Sequence, residues 1–268
     1  MNRKPVVAGQ FYPGSREEWL GEVREYLVSG SPSQTRARAA MVPHAGYPFS
    51  GGVAGRTMAR ARPGRRVLLL GPNHTGMGKP FAVWSAGAWD LPGASVPVDE
   101  DLAAGVLQAH SALEEDQSAH IREHSLEVVL PFLYALDDTT QILPVAVAET
   151  NPNTLVAVGE ALAGVVSSQS EPVSLVISSD MSHFISADRA KQQDELALRE
   201  IVDLNPEGLF ETVTKNRISM CGVLPMTVGL ALARKLGCTG GELVEYASSG
   251  DFIGDYSSVV GYAGVVIN

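Results

Sequence analysis

Four consecutive apolar residues, Val67-Leu68-Leu69-Leu70, run into Gly71-Pro72-Asn73 and then His74. The run is too short for a helix and has no polar face. It reads as a strand buried on both sides, the kind found in parallel sheets. Such sheets present ligand sites at the carboxyl ends of their strands, and His74 follows that end. The pattern recurs twice. Ala39-Ala40-Met41-Val42-Pro43 leads into His44, and Val173-Ser174-Leu175-Val176-Ile177 leads through Ser178-Ser179-Asp180 to His183. If the three strands are parallel neighbours, three imidazoles meet at one edge of the sheet.

Further strand-like runs lie at 141–148, 242–248 and 258–266. Between them, apolar spacing predicts helices over 15–27, 51–61, 99–110, 152–167, 188–202, 206–215 and 222–236. Ser15 and Glu18 have the spacing of a capping box at the first of these. The helical pattern over 120–136 contains Pro131, which is expected to kink or end it. Residues 28–37 read as a polar linker. The stretch 75–98 is rich in Gly and Pro and holds Trp84 and Trp89; it reads as short strands and a long loop, a flap over the site. The alternation predicts an α/β fold: one domain over 1–268, its central mixed, largely parallel sheet covered by helices on both faces.

Of 268 residues, 45% are hydrophobic, ample for one large core. A net charge of -10 argues against nucleic acid and anionic membrane surfaces as partners. No apolar run approaches the roughly 18 residues that span a bilayer. The basic start, Met1 to Pro5, has no apolar stretch after it. The two cysteines, Cys221 and Cys238, are too few for a disulfide framework. The expectation is a cytoplasmic protein.

Three groups carry candidate chemistry. The strand-end histidines sit in turns stiffened by Pro and Gly, which preorganise ligands. Asp180 precedes His183 by three residues; on a helical turn it either ligates or orients that imidazole for proton transfer. His120 and His124 have the i, i+4 spacing of a zincin, but Ile121 stands where the zincin glutamate belongs. Glu123 and His124 remain candidates to line a pocket. Cys221, just before an apolar helix, is a candidate thiolate, either soft metal ligand or nucleophile. Cys238 reads as a small buried apolar residue, and Asp251, Asp255 and Tyr256 as turn residues.

Together these pieces resemble a known family. Ala8-Gly9-Gln10-Phe11-Tyr12-Pro13, Pro43-His44-Ala45-Gly46-Tyr47, Gly71-Pro72-Asn73-His74, Glu123-His124-Ser125-Leu126-Glu127, Ser178 to His183, Met220-Cys221-Gly222 and Gly250-Asp251 with Asp255-Tyr256 run in the order of the Memo family, also called AmmeMemoRadiSam system protein B. The family is similar in fold to the class III extradiol dioxygenases. The resemblance implies His44 and His74 as metal ligands, Cys221 in the place of the third ligand, and His183, beside Asp180, as the acid/base group. A thiolate in place of the dioxygenase carboxylate puts catechol cleavage in doubt. Iron(II) or copper(I) is the implied metal, with redox activity in some members and peptide binding in others. A link to a radical-SAM protein is also implied. A non-catalytic module binding a peptide or small ligand is the alternative, and a hydrolase using Cys221 and His183 is a third.

Overall fold

The structure, a computed structural model, describes residues 2–30 and 35–268. Residues 31–34 of the expected linker lie outside the described residues. In chain order the first elements are β1 (Asn2–Arg3), α1 (Arg16–Val28), β2 (Ala39–Val42), α2 (Tyr47–Ala61) and β3 (Arg66–Pro72). Next come β4 (Phe81–Val83), β5 (Ala88–Leu91), β6 (Ala94–Pro97), α3 (Glu100–Ala109), β7 (Glu114–Glu115), α4 (Leu130–Leu136) and β8 (Gln141–Val147). The rest are α5 (Pro152–Ser168), β9 (Val173–Ser178), β10 (His183–Ile185), α6 (Ala187–Val202), α7 (Pro206–Asn216), α8 (Val223–Lys235), β11 (Gly241–Ser248), α9 (Gly250–Ile253) and β12 (Val259–Ile267).

The strands of the main sheet run β10-β12-β2-β9-β3-β8-β4-β7, with β11 also paired to β12. Its centre, β2-β9-β3-β8, is parallel throughout. Strands β12 and β4 join this block antiparallel on either side. The three strands with the histidine pattern are therefore direct neighbours. β9 lies between β2 and β3, as a sheet of this class requires to gather residues from all three.

Helices cover both faces, as strand parity shows. Leu175 and Ile177 of β9 point at Gly229 of α8. Ala40 of β2 and Val266 of β12, of the opposite parity, cluster with Ala61 of α2. Helix α1 packs on α2, and the contact is close because a Cβ on Gly55 would lie 2.4 Å from that of Tyr26. Ser15 caps α1 as its spacing predicts: its oxygen accepts from Glu18 N, and its hydroxyl donates to the Glu18 carboxylate.

Two expectations fail. The helical pattern over 120–136 forms only a 3-10 turn at Glu127–Val129 and then α4, with Pro131 in the first turn. Proline is well tolerated there because its missing N–H has no helical acceptor. His120 and His124 therefore share no helix face. The stretch 75–98 does form the expected short strands, β4, β5 and β6, but these do not make a flap. Trp84 and Trp89 are buried in the core. The hairpin β5-β6 pairs with β1 in a separate three-stranded sheet.

The hairpin is tied down by a buried ion pair. Arg3 donates to the Glu127 carboxylate at 2.7 Å and to the carbonyls of His120 and Glu123, and its guanidinium lies 4.2 Å above the Trp89 ring. Glu127 also accepts from Val6 N, Val7 N and the Tyr12 hydroxyl. One buried carboxylate thus gathers donors from Arg3, Val6, Val7 and Tyr12. Glu127→Ala leaves Arg3 buried without its counter-charge, and the expected loss is about 3–5 kcal/mol. Urea unfolding of both proteins at neutral pH measures it. Overlapping curves would show that the pair does not hold the amino-terminal segment.

Candidate metal centre

His44 and His74 leave the sheet at the ends of β2 and β3, and their rings lie 5.3 Å apart. Cys221 reaches the same point from the loop before α8. Gly222 brings it there: a Cβ on that residue would lie 2.3 Å from the Cβ of Ser179, at the end of β9. Its N–H donates to the Ser179 hydroxyl at 3.1 Å. One donor atom each from His44, His74 and Cys221 lies within 4.8 Å of the other two. Cys221 Sγ is 3.3 Å from His44 Nε2. With metal bonds of about 2.3 Å to sulfur and about 2.0 Å to nitrogen, donors on one tetrahedral ion stand roughly 3.5 Å apart.

The hydrogen bonds behind the rings fix which nitrogen faces the sulfur. Ser178 Oγ has one proton and donates it to the Ser125 carbonyl at 2.7 Å. At its 2.6 Å contact with His44 Nδ1 it must therefore accept. His44 then carries its proton on Nδ1, and the lone pair on Nε2 faces Cys221. His74 is set the same way. Its Nδ1 is 2.9 Å from Glu123 Oε1, and its backbone N–H donates to Glu123 Oε2. Hydrogen-bond partners of this kind orient metal-bound imidazoles and raise their basicity. The donor set and its orientation fit a metal ion.

Charge is unevenly spread. Burial opposes ionisation of Glu123, but the hydrogen bond and charge of His74 outweigh it and hold the carboxyl down to about 2. His74 moves up correspondingly, because Glu123 overcomes the cost of burial. Burial, helped by the neighbouring His124 and His74, pushes His44 well down. Burial and then the Asp180 carboxylate push the Cys221 thiol well up, against the expectation that the helix end alone would favour thiolate. The N–H of Asp180 donates to that sulfur at 3.2 Å and works the other way.

Asp180 and His183 do not form the expected helical pair. Residues 180–182 are not helical and His183 opens β10. Asp180 instead accepts from the backbone N–H of His44 at 2.8 Å. His183 rests its Nδ1 on the Ser219 carbonyl at 2.9 Å, and its ring touches Phe184, not the other imidazoles. His124 does join the group: its ring lies 5.5 Å from His44 and 4.9 Å from His74. With His74 and Glu123 it forms a second trio of donor atoms within 4.8 Å. Glu123 is completely buried, so it acts behind the histidines and does not line a pocket. The His120 ring does not join the group; it is buried against Trp84 and Trp89 with Nε2 on the Ala82 carbonyl. Asp251 and Asp255 accept from nearby serines, as turn residues do.

A family model described as Memo-like protein matches residues 3–266. This chain belongs to the Memo-like family. A MEMO1 family protein of Aquifex aeolicus is 42% identical over 267 residues, covering 98% of each chain. Another, from Methanopyrus kandleri, is 37% identical, covering 99% of each. In fold, the Memo-like chain is similar to an uncharacterized protein of Escherichia coli K12, with a TM-score of 0.61 at 14% identity, over 87% of this chain and 100% of that one. The mixed sheet between two helical layers agrees with the dioxygenase-like fold that the sequence resemblance implies.

Sequence reasoning passed over Ser178 and Ser125, whose hydroxyl and carbonyl set the His44 tautomer. For Ser178 a signal was present, two serines at a strand end after an apolar run; nothing in the sequence marks Ser125. It also passed over Phe184, which is 78% exposed with a left-handed φ of 59°. A bulky residue rarely takes that conformation, and nothing in the sequence marks it.

The Glu123–His74 pair sets a pH window for the metal-free protein. Glu123, held low, stabilises the fold above the ordinary carboxylate range and loses that contribution as pH falls toward about 2. His74, held high, contributes fully below its ordinary value and loses it as pH rises through the raised one. Glu123→Gln is therefore expected to lower the melting temperature most at a pH of about 5–6 and less at about 9. Melting curves in the presence of a chelator test this, and a pH-independent difference would rule out an ionic pair.

Proposed function

We propose that this protein is a metal-dependent redox protein whose ion is held by His44, His74 and Cys221. What carries the reading is that His44, His74 and the half-buried Cys221 each bring one donor atom within 4.8 Å of the other two, with Ser178 and Glu123 holding the rings from behind. Two nitrogens and a sulfur suit iron(II) or copper(I), and they leave coordination positions open. An ion bound there supplies one-electron chemistry and Lewis acidity. The chain supplies the rest. Cys221 gives up its proton to become a ligand, and the Asp180 N–H steadies the charge left on sulfur. Glu123 and Ser178 stop the two rings from turning. The Ser219 carbonyl fixes the proton of His183 on Nδ1, so its Nε2 has a lone pair to take a proton from a bound ligand. Asp180 supports this at one remove, by holding the His44 backbone.

The ligand we infer is a small molecule or a peptide, and the functional setting the cytoplasm, with a link to a radical-SAM protein, as the family resemblance implies. No helix among the described residues is long and apolar enough to cross a membrane. The second reading is a binding module in which the same cleft holds a ligand without chemistry. The thiol standing where the dioxygenases have a carboxylate favours it. Micromolar peptide affinity that survives chelation, without turnover, is its signature.

Anaerobic loading with iron(II) or copper(I) separates the two. The expected result is one ion per chain in the wild type and at least tenfold weaker binding in Cys221→Ser, with the sulfur-to-metal absorption lost. His183→Ala is expected to keep the ion and lose turnover. Equal metal content in wild type and Cys221→Ser removes the cysteine from the site.

A further inference from the structure

Among the described residues, four that are not glycine have a left-handed φ: Arg62, Phe184, Leu204 and Arg217. Arg62 and Arg217 cap α2 and α7, and Leu204 follows the end of α6. A left-handed residue closes a helix at such places. Phe184 alone lies inside a strand, β10. It is also the extra residue of a β-bulge. His183 pairs with Val260 and Ile185 with Val259, so two steps along β10 match one along β12. A left-handed bulge position ordinarily takes glycine. Here it takes a phenylalanine whose ring is left in solvent.

The chain on both sides holds this conformation. His183 N donates to Ser219 Oγ at 2.7 Å. Before it, the N–H and hydroxyl of Ser182 donate to the buried Asp194 carboxylate at 3.0 and 2.6 Å. After it, Ala187 N donates to the Tyr256 carbonyl at 3.0 Å. Packing gives no reason for the strain, because an exposed ring adds little to a core. Strained residues persist where function uses them, and bulges beside reactive groups re-aim a side chain. The Phe184 ring lies 5.7 Å from the His183 imidazole, the group read above as taking a proton from a bound ligand.

We propose that Phe184 determines specificity at this site: its ring, turned out by the bulge, covers the apolar body of the ligand that His183 serves. The site then prefers ligands with an apolar chain beside their metal-binding atoms over small polar ones. This rests on the metal reading above. The gain is that of removing apolar surface of both partners from water.

One test uses the metal-free protein. Phe184→Gly frees the backbone and removes the ring, so it is expected to melt no lower than wild type. A fall of several degrees would show that the ring serves the fold, and overturns the proposal. The second test uses the cobalt(II)-loaded protein, read by its visible spectrum. Acetohydroxamate and hexanohydroxamate chelate through the same two oxygens, and the second adds four methylenes. Wild type is expected to prefer hexanohydroxamate, and Phe184→Gly to show a preference about tenfold smaller. Phe184→Tyr keeps a ring and is expected to keep the preference. Equal preferences in wild type and Phe184→Gly overturn the proposal, as does a preference lost in Phe184→Tyr. If cobalt uptake is lost in Cys221→Ser while the preference ignores Phe184, the metal reading stands and this proposal falls. No cobalt uptake, or equal uptake after Cys221→Ser, removes both.

Discussion

The single proton of the Ser178 hydroxyl decides how the site is wired. It is committed to the Ser125 carbonyl, so His44 must donate from Nδ1. The far nitrogen is thereby left with a lone pair, aimed at a thiol that arrives from a distant part of the chain. Ser178 sits at the end of β9, between the strands that carry His44 and His74. The parallel pairing of β2 and β9 sets Ser178 opposite Val42, two residues before His44, and so brings the hydroxyl to that imidazole. The tautomer is thus a consequence of strand order.

The other imidazole is held by charge. Glu123 is completely buried, and leaving such a carboxylate unpaired would cost several kcal/mol (~3–5). It is not left unpaired: His74 meets it through both ring and backbone, and Ser125 N donates to it at 2.9 Å. Ser125 therefore serves both halves of the site, through its carbonyl to Ser178 and its N–H to Glu123. The residues just around it are secured from behind by Arg3 and Glu127. A second buried ion pair thus anchors the segment that carries the first.

The sheet was legible because its strands obey simple rules. Val67 to Leu70 has no polar face, and residues of that kind have nowhere to go but the middle of a parallel sheet. The convergence of His44 and His74 follows from the same rule. The 120–127 segment was not legible. Its apolar spacing suits a helix, but Arg3 and Glu127 hold it open by bonding to its carbonyls and to the chain before it. Those partners lie more than a hundred residues apart in sequence, and periodicity cannot register them. Asp180 misled for a related reason. A helical turn at 180–183 would have joined it to His183, whereas the extended chain sends it to the backbone of His44.

Opposing influences meet on the sulfur of Cys221. Burial and the Asp180 carboxylate keep the proton on; the Asp180 N–H and the approaching helix end favour its loss. In the metal-free protein the first pair wins and the site holds a neutral thiol against a neutral imidazole. Such a thiol is a poor nucleophile, because reactivity belongs to the thiolate. That argues against a cysteine hydrolase, whose nucleophile must be activated before substrate arrives. It does not argue against a metal centre. A cation replaces the proton on sulfur directly, and its charge offsets the same desolvation that raised the thiol. The environment that disables Cys221 as a nucleophile therefore leaves it usable as a ligand.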